Sequence, residues 1–318
     1  MLKLLGIAAL AAAAATPALS QTCTLHKRFA VVAHGGELSR PMEGSARLAI
    51  MKDTLVAARA QLAAGAASLD VVETIVRAFE DSGAFNAGRG AIADRAGIVE
   101  TDASIMDGNG LRSGAVASMT SLKNPVHAAR MVMEQTPHVL MVGDRGEAFL
   151  KGIGAETVPP SYFRNNANPA PAPEHGTVGA VALDRCGHIA AATSTGGYDA
   201  KIPGRVGDSP IVGAGVYAND DVGGFSSTGH GEYFIRFSIA KDVADRMLYG
   251  HQAMVNAMAS DLEVKLREFK DGDGALIGID RRGHIEMMWN AVGLFRGYAT
   301  DSEAPVTAEY QGPTRSRR

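Results

Sequence analysis

Residues 174–197 read EHGTVGAVALDRCGHIAAATSTGG, and the fold is decided by how this stretch is read. Val178 to Leu183 is a short apolar run of strand type. Asp184-Arg185-Cys186-Gly187 has the composition of a turn, and Ile189 to Thr195 returns as a second strand, so the stretch predicts a β-hairpin. Ahead of it, Val158 to Pro173 is rich in Pro and Asn and reads as an exposed linker. A buried strand that starts at a threonine directly behind a tether has a chemical consequence. If the Gly176–Thr177 bond were cut, Thr177 would carry both a hydroxyl and a free α-amine. That amine has a reference pKa of about 7.7–8.0, so near neutrality it can take the hydroxyl proton. Threonine paired with its own N-terminal amine is an activated nucleophile. Taken alone, His175-Gly176-Thr177 is better read as a threonine opening a strand, where this residue is common.

The surroundings reverse that balance. The hairpin ends in Thr195-Gly196-Gly197; Pro203-Gly204-Arg205-Val206-Gly207-Asp208-Ser209-Pro210 and Ser227-Thr228-Gly229-His230-Gly231-Glu232 follow. Phe85-Asn86-Ala87-Gly88 and Asp102-Ala103-Ser104-Ile105-Met106-Asp107-Gly108 lie upstream. The series, in this order, resembles the plant-type asparaginase and isoaspartyl peptidase family of N-terminal nucleophile hydrolases. The resemblance runs over roughly residues 29–300. It implies an α+β fold, a four-layer αββα sandwich, which periodicity alone does not give. It implies no organic cofactor, a small-molecule substrate (L-asparagine or β-aspartyl dipeptides), and an (αβ)₂ dimer.

The resemblance also assigns the site. Thr177 is the nucleophile and Gly176–Thr177 the bond it cuts in its own precursor. An α subunit would span residues 21–176, with a flexible linker over 155–176, and a β subunit residues 177–318, both building one domain. Thr195 is expected to hydrogen-bond the Thr177 hydroxyl, and Asn86 to order the new amine. Thr228 and Gly229 supply the oxyanion hole, a hydroxyl and a main-chain N–H. Gly229 and Gly231 keep side chains away from the substrate, with His230 facing outwards between them. An asparagine-like substrate has an α-carboxylate, which Arg205 can grip with two parallel N–H bonds. It also has an α-ammonium, for which Asp208 is the acceptor. Family members hold a structural sodium on main-chain carbonyls, here those of Phe79, Glu80, Ser82, Phe85, Ala87 and Arg89. Departures are local: the family continues the His34-Gly35-Gly36 turn with small residues where this chain has Glu37-Leu38, and Asn290-Ala291-Val292-Gly293 follows the usual block only loosely.

The ends and the composition bound the setting. Of 318 residues, 46% are hydrophobic and 20% charged, and the net charge is −3, with no Lys/Arg stripe that would suggest nucleic acid. Lys3, the apolar run Leu4 to Ala15 and the small residues Ala18-Leu19-Ser20 form a signal-peptide pattern over residues 1–20, too short an apolar run for a transmembrane anchor. A periplasmic or secreted mature protein is therefore expected. An oxidising compartment permits a disulfide between Cys23 and Cys186, although the sequence does not place them together. The nine histidines show no metal-binding spacing.

Along the chain, strands are predicted at 28–33, 98–106, 112–119, 211–217, 222–227, 275–280 and 284–290. Helices are predicted at 41–64, from Ser68 (as N-cap) to Phe79, from Pro125, and at 144–150, 231–248 and 252–269. Each half, before and after the linker, is expected to supply one sheet and a pair of helices. Two other functions stay open. Glycosylasparaginase characteristically has Asp before the nucleophilic threonine, where this chain has Gly176. A non-catalytic periplasmic amino-acid-binding protein would use Arg205 and Asp208 equally well, but would not need a linker ending at Thr177.

Overall fold

Strand β1 (Ala30–Leu38) shows why so many strands here are apolar throughout. Val31 and Ala33 belong to one core, while Ala30 and Val32, pointing the opposite way, belong to a second. The same alternation runs through β5 (Val178–Leu183) and β6 (Ile189–Thr195): Ala180 and Ala192 enter the first core, Val181 and Ala191 the second. A sheet covered on both faces has no polar side to show. The computed structural model describes residues 23–40, 44–163 and 176–310. The signal pattern, most of the predicted linker and the Arg-rich C-terminus lie outside the described residues.

The chain is α+β, with two sheets among the described residues. The remaining strands are β2 (Thr101–Asp107), β3 (Arg112–Met119), β4 (Leu140–Val142), β7 (Val216–Asn219), β8 (Gly223–Gly229), β9 (Gly274–Asp280), β10 (Ile285–Trp289), β11 (Gly293–Thr300) and β12 (Val306–Ala308). The eight-stranded sheet runs β12-β11-β1-β5-β6-β2-β3-β4 and the four-stranded sheet β10-β9-β8-β7. All pairings are antiparallel except β3 with β4. Helices α1 (Ser45–Ala63), α2 (Ser68–Ser82) and α3 (Pro125–Gln135) pack on the large sheet, and α4 (Gly143–Gly152) packs against β3. Strands β5 and β6 of the large sheet lie against β8 of the small one. Helix α5 (Gly231–Phe237) touches β8; α6 (Ile239–Leu248) covers β7 and β8, and α7 (Met254–Ala259) covers β10.

The central hairpin forms as its sequence predicts, and α3 starts at Pro125. Other elements differ for physical reasons. The large sheet draws strands from both sides of the linker, so the halves do not each build a sheet. Strands β11 and β12, not foreseen, interleave with the first half: β11 pairs with β1. Its glycines and Arg296 hide the apolar pattern. Ser68 is the first residue of α2 rather than its cap; its N–H is taken by Asp184 Oδ2 at 2.9 Å, from the turn of the hairpin. The helix predicted at 231–248 breaks at Ser238 (φ 51°), and that at 252–269 becomes α7 and two short non-α turns. The predicted linker does not begin at 155. Val158 N bonds Ser121 O at 2.8 Å, Lys123 N bonds Glu156 O at 3.0 Å, and Phe163 is buried. Cys23 and Cys186 are joined in a disulfide that ties the start of the described chain to the hairpin turn.

Candidate active site

Thr177 opens β5 in the middle of the large sheet and is buried. The carbonyl of Gly176, on the bond expected to break, accepts two hydrogen bonds: Asn86 Nδ2 at 2.7 Å and Thr195 Oγ1 at 3.0 Å. Thr195 comes from the end of β6, the other arm of the hairpin. Asn86 comes from the loop behind α2, where its second N–H holds Gly197 O at 2.5 Å and its Oδ1 accepts Ile92 N. This corrects the expectation for Thr195. Thr195 has one proton, and it goes to Gly176 O, not to the Thr177 hydroxyl; Asn86 also bears on the scissile carbonyl. The nearest hydroxyl partner of Thr177 Oγ1 is Ser209 Oγ at 3.4 Å. Ser209 follows Asp208 in a motif that was read only for its charged residues.

The turn between β1 and its bulge presses on the same bond. A Cβ at Gly36 (φ +101°) would stand 2.9 Å from Gly176 Cα and 3.3 Å from Thr177 N. Only glycine allows that approach. His34, fully buried, meets Ser226 Oγ at 2.8 Å; burial pushes its pKa down to about 3 against a bond to the Thr177 main chain, so it stays neutral.

Arg205, Asp208 and Gly231 lie together: a Cβ at Gly231 would meet Asp208 Oδ1 at 2.8 Å and Arg205 Nη2 at 2.9 Å. Arg205 is aimed by two parallel bonds to Glu232, Nε–Oε1 2.9 Å and Nη2–Oε2 2.8 Å, and its guanidinium lies 4.4 Å over the Tyr198 ring. The guanidinium carries five N–H donors, so donors remain for a ligand carboxylate. Asp208 Oδ2 is buried with no hydrogen-bond partner among the described residues, and burial raises its carboxyl to about 7. An ammonium group supplies what that atom lacks. His230 does not simply face outwards: it stands at the N-cap position of α5 without a side-chain cap bond, lies 3.3 Å from Glu232, and its ring is 5.1 Å from that of Tyr233. Thr228 is on β8 next to Gly229, and its hydroxyl is donated to the carboxyl group of Glu37.

A second layer escaped the sequence. Lys201 is fully buried with Nζ on Glu100 O at 3.0 Å, and its aliphatic chain lies where a side chain at Gly197 would be. Asp102, beneath it, is raised to about 6 by burial against the pull of Lys201. Asn290 fixes the loop that approaches Gly229, holding Leu262 O, Gly272 O and Gly274 N. Main-chain carbonyls converge behind α2: a Cβ at Gly90 would stand 2.2 Å from Phe85 O, and one at Gly88 2.9 Å from Glu80 O. The carbonyls of Phe79, Phe85 and Ala87 each accept a local hydrogen bond. Main-chain carbonyls are neutral oxygen donors, the kind a monovalent cation takes. Among the described residues no group of three or more His, Cys, Asp or Glu side chains could hold a metal ion.

A family model described as asparaginase matches residues 27–171 and 165–309. The chain belongs to the plant-type asparaginase family. It is 44% identical to the isoaspartyl peptidase of Escherichia coli over 271 residues, covering 79% of this chain and 84% of that one. It is 36% identical to an isoaspartyl peptidase/L-asparaginase of Danio rerio over 298 residues, 84% of this chain and 95% of that one. The mouse protein of the same description is 35% identical over 305 residues, 90% and 92% of the two chains. This asparaginase-family chain is an enzyme, and the breadth of the match takes in both arms of the hairpin and both sheets.

Proposed function

We propose that the protein is an isoaspartyl peptidase with L-asparaginase activity, made active by cutting itself before Thr177. The observation that carries this is the Gly176 carbonyl, pinned by Asn86 and Thr195 beside the Thr177 hydroxyl in a chain of this family. In the precursor, Thr177 Oγ adds to the Gly176 carbonyl carbon. The developing oxyanion lies on the two donors already in place, and the hydroxyl proton passes to the Thr177 nitrogen as the C–N bond breaks. The resulting ester is hydrolysed by water, which leaves the Gly176 carboxylate and a free Thr177 amine. In the mature enzyme that amine takes the Thr177 hydroxyl proton as Oγ attacks the side-chain amide of the substrate. Arg205 grips the α-carboxylate, Asp208 takes the α-ammonium, and Thr228 and Gly229 face the oxyanion.

Further features follow from the same reading. The elements are layered helix, sheet, sheet, helix, the four-layer αββα arrangement, with a separate apolar core on each side of the large sheet in support. Loop carbonyls of Phe79, Glu80, Ser82, Phe85, Ala87 and Arg89 would hold a structural sodium that stiffens the loop carrying Asn86. The mature protein is exported, which the Cys23–Cys186 disulfide supports. No helix among the described residues is long and apolar enough to cross a membrane. It assembles as an (αβ)₂ dimer, for which the exposed Leu140, Val142 and Phe149 offer an apolar patch.

The test is Thr177→Ala beside the wild type, assayed for ammonia from L-asparagine and aspartate from β-aspartyl dipeptides. The wild type is expected to be cut and active, Thr177→Ala folded, uncut and inactive, and Thr177→Ser partly cut. A cut or active Thr177→Ala contradicts the proposal.

A further inference from the structure

Glu37, a carboxyl on a strand buried between two apolar cores, has a defined place in the structure. Its side chain is buried, no cation pairs with it among the described residues, and its partner is the Thr228 hydroxyl. The backbone places it there. Along β1, His34 faces Arg296 of β11 and Glu37 faces Leu294, so three steps on β1 match two on β11: a β-bulge at Gly35-Gly36. In a regular strand, residues three apart point to opposite faces. The bulge turns Glu37 to the side of His34, and the two side chains meet alternate residues of β8, His34 on Ser226 and Glu37 on Thr228.

We infer that Glu37 is a positioning residue that controls the oxyanion donor Thr228, making hydrolysis depend on the protonated form of Glu37. This rests on the assignment of Thr228 to the oxyanion hole. A hydroxyl has one proton. When Glu37 is a carboxylate it holds that proton, and Thr228 has none to give to the substrate oxyanion. When Glu37 is a carboxylic acid it donates to Thr228 Oγ instead, and the Thr228 proton is free to point at the oxyanion. The relay runs from the Glu37 O–H to Thr228 Oγ and from the Thr228 O–H to the oxyanion, and no proton leaves either group.

The groups around Glu37 favour the acid form. Asp208 from the substrate loop and Asp273 ahead of β9 are both carboxylates that oppose its ionisation. From β11, Leu294 is apolar, and the Arg296 guanidinium is committed to Leu294 O and Tyr310 O. On β1 itself, His34 is neutral. Burial, more than these charges, lifts the carboxyl to about 7. The need for its acid form runs against the other requirements: Asp208 must be ionised and the Thr177 amine neutral, and both improve as pH rises.

The test is the pH profile of kcat/KM for wild type, Glu37→Gln and Thr228→Val, with self-cleavage recorded for each as the sign of a native site. The wild type is expected to be bell-shaped, losing about tenfold per pH unit on the alkaline side. Glu37→Gln, whose amide always donates to Thr228, is expected to keep the acid limb and lose the alkaline one. If Glu37→Gln fails to cut itself, Glu37→Ala is read in the same way, since it too leaves Thr228 its proton. An alkaline limb unchanged in the cut variant overturns the inference. Thr228→Val is expected to be slower at every pH by about 100–1000-fold. Full activity there would remove the oxyanion assignment itself, a different failure from an unchanged Glu37→Gln profile.

Discussion

At the scale of single residues, the site is organised about the carbonyl that is to be attacked. Asn86 and Thr195 come from different elements and meet on one oxygen, which is how a fold prepares for charge that does not yet exist. Removing either donor, as Asn86→Ala or Thr195→Val, is expected to slow self-cleavage by about 100–1000-fold while leaving a folded precursor. A time course of chain cutting on a denaturing gel, with circular dichroism as the fold control, checks this; cutting at the wild-type rate would contradict it. The identities of these residues were readable in the sequence because they sit in glycine-flanked motifs. Their partners were not. Whether Thr195 gives its proton to a hydroxyl or to a carbonyl depends on where the end of β6 lies relative to Gly176, which no local pattern records. Glu37 and Ser209 were visible as letters, but their roles come from a bulge and a loop closure.

At the scale of elements, the hairpin does more than present Thr177. Its turn residue Asp184 is buried and accepts from Cys186 N at 2.8 Å, His188 N at 3.0 Å and Ser68 N at 2.9 Å, so one side chain shapes the turn and caps α2. Asp184→Ala leaves these N–H groups without their acceptor, a loss of about 1–3 kcal/mol for a buried group. Thermal unfolding should show this as a Tm lower by several degrees; an unchanged Tm would mean water replaces the carboxylate fully. The hairpin itself was legible because β-strand runs and a turn of Asp, Arg, Cys and Gly alternate cleanly. The cap was misplaced because Ser68 is a good N-cap by composition, while the actual acceptor is distant in sequence. Strand β11 was hidden for a related reason: Gly293, Gly297 and Arg296 are tolerated there because neighbours pack against them, Leu55 close over Gly297 and Trp289 under the Arg296 guanidinium at 4.1 Å.

At the scale of the whole molecule, several carboxyls are buried near the site or beneath it. Burial raises Glu80 to about 8, Asp208 and Glu37 to about 7, and Asp102 to about 6. In an unfolded chain such groups ionise at about 3.9–4.3. Each therefore contributes stability that is complete below that range and lost as pH rises through its folded value. Glu73, Glu147 and Asp242 are shifted the other way by cationic partners, after burial, and lose their contribution as pH falls through values below the usual range. The Tm is expected to peak at about pH 4 to 5 and to fall toward about pH 8, most steeply between about 4.5 and 6, where all four carboxyls are protonated in the fold but not in the unfolded chain. A Tm that rises over that interval would show that these carboxyls are ionised at little cost. The two-sheet, two-core arrangement was not legible from periodicity. Strands from both sides of the linker alternate in one sheet, against the expectation of one sheet from each half, because β1 and β6 each have a pairing partner distant in sequence.

The central claim is that Thr177 becomes a chain end, and the disulfide sharpens its test. Cys23 lies before the cut and Cys186 after it. The measurement is the intact mass of the purified protein under denaturing conditions, with and without reductant. The prediction is one species without reductant, heavier than the uncut mature chain by one water. With reductant it separates into two chains, one ending at Gly176 and one starting at Thr177. A single chain that stays whole in reductant would mean that Thr177 never gains its amine, and the hydrolytic mechanism would be wrong.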